Sequence, residues 1–209
     1  MDFSASTLLT FFAAGVVIST IPGPATAYIT ACTLAKGRKV GFLSVVGIFV
    51  GTFFHVLAVM FGLSAVLLKS AEAYALIKLV GSLYLVFLGV SVFLQKKETH
   101  NSNQAGKGAS YLKVVSMGVL AAVLNPKLAI FFIAYLPQFV DESVVNVSYQ
   151  FLFFGTFQCL IGLGFNIILV SVLHIVGGAA SGFMNSDFAT RWIPGALFVG
   201  VGAKLAIDK

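Results

Sequence analysis

The chain has 209 residues, of which 59% are hydrophobic and only 10% are charged. A soluble domain carries about 25% charged residues, so this composition excludes a water-soluble globule and indicates an integral membrane protein. The net charge of +6 is carried largely by short loops between apolar segments, which favours contact with anionic lipid and argues against binding of nucleic acid.

Six apolar segments follow one another along the chain, and each predicts a membrane-spanning helix. They cover residues 7–33, 41–68, 74–94, 111–136, 149–176 and 192–207. The last is short for a full span at about 1.5 Å per residue, unless it begins earlier, near Phe188. We therefore predict an all-α polytopic membrane protein with six transmembrane helices, forming a single transporter domain over residues 1–209.

The first segment is interrupted by two prolines on either side of a glycine. Proline has no N–H group to donate, so a break here exposes carbonyl groups on one side and free N–H groups on the other. The N–H groups at a helix start attract anions such as a substrate carboxylate. Pro22, Gly23 and Pro24 are therefore candidate substrate-binding residues, and a purely structural kink is the alternative.

The second and third segments contain candidate packing positions and one histidine. The pair Gly47 and Gly51 allows two helices to approach closely, and Gly81 and Gly89 are similar positions on the third segment. His55 lies in the middle of the second segment, where an ionisable group is a candidate for proton coupling or for lining a cavity. The alternative is an imidazole that is hydrogen-bonded to a neighbouring helix.

A polar loop over about residues 95–111 reads as a cytoplasmic hinge between two similar halves, repeat 1 over about 7–94 and repeat 2 over about 112–207. The matches place residues 15–21 (GVVISTI) on 118–124 (GVLAAVL) without a gap, and 81–85 on 195–199. Because each half has three helices, the two repeats must lie in opposite orientations. This pattern predicts two inverted three-helix repeats with broken helices 1 and 4, and chance similarity of apolar segments is the alternative.

The fourth segment carries the second break. Pro126 clashes with the carbonyl of Ala122, and Lys127 places a charge near mid-membrane depth at a cost of roughly 2.5–3.5 kcal/mol. Freed backbone groups persist in a membrane only where protein or a watery cavity satisfies them. Asn125 can cap the helix that follows, and Lys127 can pair with a carboxylate or exchange a proton, unless it only extends to an interface.

Paired interruptions at matching positions of inverted halves indicate a binding site near the midplane. Asn125, Pro126 and Lys127 are therefore candidate substrate-binding residues together with the first break, and Lys127 and His55 are the candidates for proton coupling. Gln158 and Asn166 on the fifth segment either bond neighbouring helices together or line the same cavity.

Basic residues are unevenly distributed between the loops. The first, third and fifth loops contain Lys36, Arg38, Lys39, Lys96, Lys97, Lys107, Lys113 and Arg191, whereas the opposite side has Lys69, Lys78, Lys204 and Lys209. By the positive-inside rule the first group is cytoplasmic, so both termini are predicted to be periplasmic or extracellular.

The fourth segment also carries a resemblance to a known family. Residues 124–140 (LNPKLAIFFIAYLPQFV) are similar to the pattern of the LysE/RhtB family of bacterial amino-acid exporters. Further similarity lies at residues 21–24 (IPGP), in the spacing of Gly47, Gly51 and His55, and at residues 81–89 (GSLYLVFLG).

The resemblance implies a multi-pass protein of the bacterial plasma (inner) membrane that exports amino acids or close derivatives, driven by the proton gradient. It implies no enzyme activity and no cofactor, with an amino acid, protons and the lipid bilayer as partners and a homo-oligomer as a possible state. Thr52 stands near a position where exporters of basic amino acids carry an acidic residue. This departure favours neutral substrates such as threonine, homoserine or leucine.

Two other classes of membrane protein are alternatives. A transmembrane thiol–disulfide carrier has a comparable plan but needs two cysteines at matching positions beside the prolines, whereas Cys32 follows Pro24 by eight residues and Cys159 lies in the fifth segment. A divalent-metal exporter needs a cluster of ligands, and three scattered histidines do not form one. A membrane enzyme has no support, because the sequence contains neither a phosphate-binding loop nor a nucleophile motif.

Overall fold

The computed structural model of the protein describes residues 4–94, 110–142 and 146–176, and the regular structure of these residues is entirely helical. The helices are α1 (Ala5–Thr20), α2 (Pro24–Lys36), α3 (Arg38–Lys69), α4 (Ala71–Leu94), α5 (Tyr111–Val123), α6 (Pro126–Tyr135) and α7 (Val147–Val176), with a 3₁₀ turn at Leu136–Phe139 after α6. The predicted hinge, the sixth segment at 192–207 and the repeat match at 195–199 lie outside the described residues.

Two of the described helices are long and apolar enough to cross a membrane by themselves, over Arg38–Leu67 and Val147–Ile175. Two pairs of shorter helices pass the same test only together. The pair α1 and α2 is bent by 58°, and the pair α5 and α6, with its 3₁₀ turn, by 52°. The breaks predicted in the first and fourth segments are therefore present, whereas the layout of six spans in two inverted repeats stays a prediction.

Local sequence explains where the first two helices begin and end. The Ser4 side chain accepts a hydrogen bond of 3.1 Å from the Thr7 N–H and so caps α1. Two prolines without N–H groups stop α1, and the second, Pro24, opens α2 at a position where an N–H is not needed. Gly37 then turns the chain into α3 with a φ of 82°, a backbone conformation that a residue with a Cβ rarely adopts.

Helices α3 and α5 are packed in direct backbone contact at the glycine pair. A Cβ added to Gly51 would lie 2.6 Å from the Val119 carbonyl oxygen and 2.7 Å from the Ala122 Cβ. A Cβ on Gly47 would collide with the Val115 carbonyl oxygen. No larger side chain fits at either position without moving one helix. Gly81 and Gly89 lie on α4 at positions where the structure describes the backbone only.

The interior of the bundle contains two apolar clusters. The larger is rich in aromatic rings from α1, α6 and α7, including Phe11 and Tyr135, whose ring centroids are 5.0 Å apart. The smaller is aliphatic and joins α2, α3, α5 and α7 through residues such as Ile29, Val45 and Val170. Many large apolar side chains outside these clusters are exposed, as expected for a surface that faces lipid.

The two ends of the bundle differ in charge. At one end, which we call the basic end, Lys39 lies 4.9 Å from the centroid of the Tyr111 ring, so the starts of α3 and α5 are neighbours. At the other end, Lys78 and Glu142 form an ion pair of 3.1 Å, and Ser64 meets Ser148. Among the described residues, the basic end carries Lys36, Arg38, Lys39 and Lys113, and the opposite end carries Lys69, Lys78, Glu72, Asp141 and Glu142. Which end faces the cytoplasm stays a prediction.

Candidate functional site

A cavity of about 70 Å³ lies at the level of both helix breaks. Its walls include Ile21 and Phe131 from the aromatic cluster and Ile48 from the aliphatic cluster, so it lies between the two. Its polar lining consists of Ser19, Thr26, Thr52, Asn125, Lys127, Gln158 and Asn166. Lys127 is the only charged side chain among the described lining residues, and none of them carries a carboxylate.

The ammonium group of Lys127 connects the two breaks. Its Nζ donates a hydrogen bond of 2.8 Å to the carbonyl oxygen of Ile21. In an unbroken helix that carbonyl would accept from the N–H four residues later, at Ala25, and the break deprives it of this partner. The cation therefore lies at the carbonyl end of α1, where the helix dipole is negative.

Gly23 leaves the space through which the lysine reaches the first break. A Cβ built on Gly23 would lie 3.2 Å from the Lys127 Nζ and 3.4 Å from its Cε. A side chain at this position would crowd the amine and its bond to Ile21. This close approach favours a residue without a Cβ between the two prolines.

The second break is capped from two directions. The Asn125 Oδ1 accepts from the Lys127 backbone N–H over 3.1 Å, which confirms the cap that the sequence predicts. Pro126 has no N–H to donate to the carbonyl of Ala122, four residues earlier in the chain. That carbonyl instead accepts from the Asn125 N–H and interacts with the His55 Nε2, each over 3.0 Å. Because a carbonyl only accepts, the His55 Nε2 must carry the proton that is donated.

The structure brings some of the predicted site residues together and places others nearby. Gly23, Asn125 and Lys127 line the cavity, whereas Pro22, Pro24 and Pro126 do not line it and lie where the helices are interrupted. His55 is not a lining residue either, since its ring bonds to the second break and stacks on Phe132 at 6.1 Å between centroids. The substrate-binding and proton-coupling roles of these residues stay predictions.

Two small polar residues beside the first break were not predicted as part of the site. Ser19 and Thr26 both line the cavity. The only sequence signal is their position just before and after the break. Serine and threonine commonly bond their own helix backbone, as Ser19 does with the Gly15 carbonyl at 2.8 Å, so that position alone does not distinguish a site residue.

The residues on which the alternative functions depend do not converge. Both cysteines are free and buried, and Cys159 lines the cavity whereas Cys32 does not. In the part of the chain that the structure describes, no group of three or more His, Cys, Asp or Glu side chains is placed to hold a metal ion.

Comparisons with known proteins cover nearly the whole chain. The profile of the LysE type translocator family matches residues 16–209. A membrane protein of Bacillus subtilis, YrhP, is 28% identical over 96% of this chain and 99% of its own length. The leucine efflux protein of Enterobacter sp. (strain 638) is 24% identical over 98% of this chain and 97% of its own.

A second leucine efflux protein, from Klebsiella pneumoniae, is 22% identical over 98% of this chain and 97% of its own length. No solved structure shows a significant match. The family match and the apolar helices together identify a multi-pass membrane protein. The chain belongs to the LysE type translocator family.

Proposed function

We propose that the protein exports neutral amino acids, or close derivatives of them, across the bacterial inner membrane in exchange for protons. The observation that carries this proposal is the bond between the Lys127 ammonium and the freed Ile21 carbonyl, in a cavity that holds one cation and no described carboxylate. The relatives named leucine efflux proteins support export of a small amino acid.

A zwitterionic amino acid can bind both groups that this bond joins, the Lys127 ammonium and the Ile21 carbonyl. Its carboxylate pairs with the Lys127 ammonium, and its own ammonium donates to the Ile21 carbonyl that the lysine releases. The Lys127 ammonium and the Ile21 carbonyl each exchange one partner for another, so neither is left unpaired, as a membrane interior requires. The bond between Lys127 and Ile21 is thus an internal substitute for substrate.

The walls of the cavity favour a neutral side chain in the substrate. Phe49, Leu128, Phe131 and Leu163 are apolar lining residues, and Thr52 adds a hydroxyl that already bonds to its own helix at the Ile48 carbonyl. A cationic side chain would meet the charge of Lys127 with no described carboxylate to pair with it, and such repulsion excludes substrates effectively. Leucine, threonine and homoserine fit these conditions.

Lys127 is the residue that we assign to proton exchange. It is the only charged side chain among the described lining residues, so its protonation state sets the charge of the cavity. Antiport requires the loaded carrier to lack the proton that the empty carrier brings in. Once the substrate ammonium replaces the lysine at the Ile21 carbonyl, Lys127 releases its proton to the cytoplasm and keeps an amine N–H on the carboxylate. After substrate leaves on the outside, Lys127 takes up a proton there and bonds to Ile21 again, which couples export to proton entry. His55 is the second candidate, because it touches the break that holds Lys127.

The test is transport into inside-out membrane vesicles that contain the protein. Radiolabelled leucine, threonine, homoserine, lysine and glutamate are compared under an imposed pH gradient, with and without an uncoupler. We expect uphill uptake of neutral amino acids that the uncoupler abolishes. Uphill uptake that persists with the uncoupler would contradict proton antiport, and transport of lysine in preference to leucine would contradict the assignment of a neutral substrate.

A further inference from the structure

The amide group of Gln158 on α7 is buried but only partly used. The residue is 5% exposed and lines the cavity. Its Nε2 donates to the Gly15 carbonyl over 3.3 Å, a long bond compared with the ordinary range of about 2.7–3.2 Å. Its Oε1 has no hydrogen-bond partner among the described residues. A buried acceptor left unpaired destabilises a fold, and such a group calls for a functional explanation.

The orientation of this amide follows from its neighbour. The Gly15 carbonyl already accepts from the Ser19 hydroxyl at 2.8 Å, and it can only accept. Turning the amide of Gln158 by half a rotation would place two oxygen acceptors against each other. The group left over is therefore an acceptor, which suits a donor on a ligand.

A second glutamine on the same helix shows what a structural role looks like. Gln150 is 1% exposed and uses both ends of its amide on one residue, because its Oε1 accepts from the Asp141 N–H and its Nε2 donates to the Asp141 carbonyl, each over 2.9 Å. Gln150 does not line the cavity. Gln158, eight residues further along α7, differs in both respects.

Asn125 supplies the complementary unpaired group. It is 2% exposed and lines the cavity, and its Nδ2 has no hydrogen-bond partner among the described residues although its Oδ1 caps α6. Among the buried polar atoms of the walls, one donor and one acceptor are thus unused, together with the ammonium of Lys127. A carboxylate needs donors, and an α-ammonium group with three N–H bonds needs acceptors.

We propose that Gln158 recognises the α-ammonium group of the transported amino acid, with Oε1 accepting one of its N–H bonds, while the Asn125 amide donates to the carboxylate. This inference rests on the proposed function and adds a selection rule to it. The site prefers α-amino acids to carboxylic acids of the same shape that lack the amino group. The weak bond to Gly15 is the one that Gln158 gives up when it turns towards substrate.

The test compares L-leucine with 4-methylpentanoate, which is leucine without its amino group. Both are used unlabelled to inhibit uptake of radiolabelled L-leucine into inside-out vesicles, with the wild type, Gln158→Met and Gln158→Glu. For Gln158→Met we expect inhibition by leucine to weaken about 10- to 100-fold, the effect of losing a hydrogen bond to a charged group, with little change for the acid. Gln158→Glu keeps an acceptor and should keep the preference for leucine.

Gln150→Met is the matched control, because it replaces a buried glutamine of the same helix outside the cavity. It should lower the thermal stability of the purified protein and leave the preference for leucine over the acid unchanged. If Gln158→Met weakens both inhibitors equally, or leaves their ratio at the wild-type value, Gln158 does not read the ammonium group and the inference is wrong. A wild type that transports none of the amino acids would instead contradict the proposed function itself.

Discussion

Single side chains complete the backbone at both breaks of this protein. Lys127 donates to the carbonyl that the first break frees, and His55 donates to the Ala122 carbonyl, which also accepts from the Asn125 N–H and to which Pro126 cannot donate. Each proline removes one N–H donor, and in a membrane the acceptor left behind must find another donor in the protein. Ionisable side chains from other helices therefore help to stabilise both breaks.

The first prediction at this scale concerns Lys127. Lys127→Ala should reduce transport at least about 100-fold, because removing one partner of a buried charged pair costs roughly 3–5 kcal/mol when substrate is bound. Uptake into inside-out vesicles with matched amounts of inserted protein measures this effect. Lys127→Arg should rescue poorly, since a planar guanidinium does not fit the space beside Gly23 that an amine occupies. Normal transport by well-expressed Lys127→Ala would show that the lysine lies outside the transport site.

The second prediction separates the two candidates for proton coupling. In His55→Gln an amide N–H can replace the imidazole N–H at the Ala122 carbonyl, so we expect near-normal stability and transport that still depends on the pH gradient. His55→Ala should lose about 1 kcal/mol of stability, measured by thermal unfolding in detergent, because one hydrogen bond is removed. Transport that no longer responds to the pH gradient in His55→Gln would move the coupling role from Lys127 to His55.

At the scale of elements, the packing of α3 on α5 holds the second break in place. The glycine pair brings the two backbones together, and the same contact sets His55 within reach of the Ala122 carbonyl. A wider separation of these helices would pull the imidazole away from the break. The glycines therefore influence the site although they do not line it.

The third prediction tests this close contact with two glycines of one helix. Gly51→Ala should destabilise the protein by about 1–3 kcal/mol, because the added Cβ would lie 2.6 Å from the Val119 carbonyl oxygen. Gly62→Ala, also on α3, meets no atom within 4 Å and should be neutral or stabilising by up to about 1 kcal/mol, since alanine favours helix. Thermal unfolding of both variants measures the difference, and we expect the lower melting temperature for Gly51→Ala. Equal melting temperatures would contradict the packing argument.

At the scale of the whole molecule, the charged residues at the two ends predict its orientation. Positive residues without described acidic neighbours gather at the basic end, and the opposite end mixes both signs. Insertion favours Lys and Arg on the cytoplasmic side. The cavity then lies inside the bundle between these ends, with the aromatic cluster towards the predicted outer side.

The fourth prediction is that the basic end faces the cytoplasm. A membrane-impermeant maleimide should label Lys39→Cys and Lys107→Cys only in inside-out vesicles, and Glu142→Cys only in intact cells whose outer membrane is permeable to the reagent. The native cysteines are both buried and should give little background. Labelling of Lys107→Cys from outside would reverse the predicted topology.

The sequence by itself determined the helical membrane class, the two breaks and the need of Lys127 for a polar partner. These features follow from local chemistry, because a proline lacks its N–H wherever it lies and a lysine within an apolar segment is costly in any membrane fold. The Asn125 cap is equally local, since it joins residues that are two apart in the chain. The family resemblance in residues 124–140 agrees with the match of the family profile to 16–209.

Only the tertiary structure decided which partners these groups find. Lys127 reaches a carbonyl 106 residues away, His55 a carbonyl 67 residues away, and Gln158 one 143 residues away. Their pairing depends on which helices pack together and at what depth, and apolar segments of similar composition do not encode that choice in any short pattern. The Oε1 of Gln158 is recognised as an unused acceptor only because it has no hydrogen-bond partner among the described residues. Whether it has a partner depends on how the helices pack.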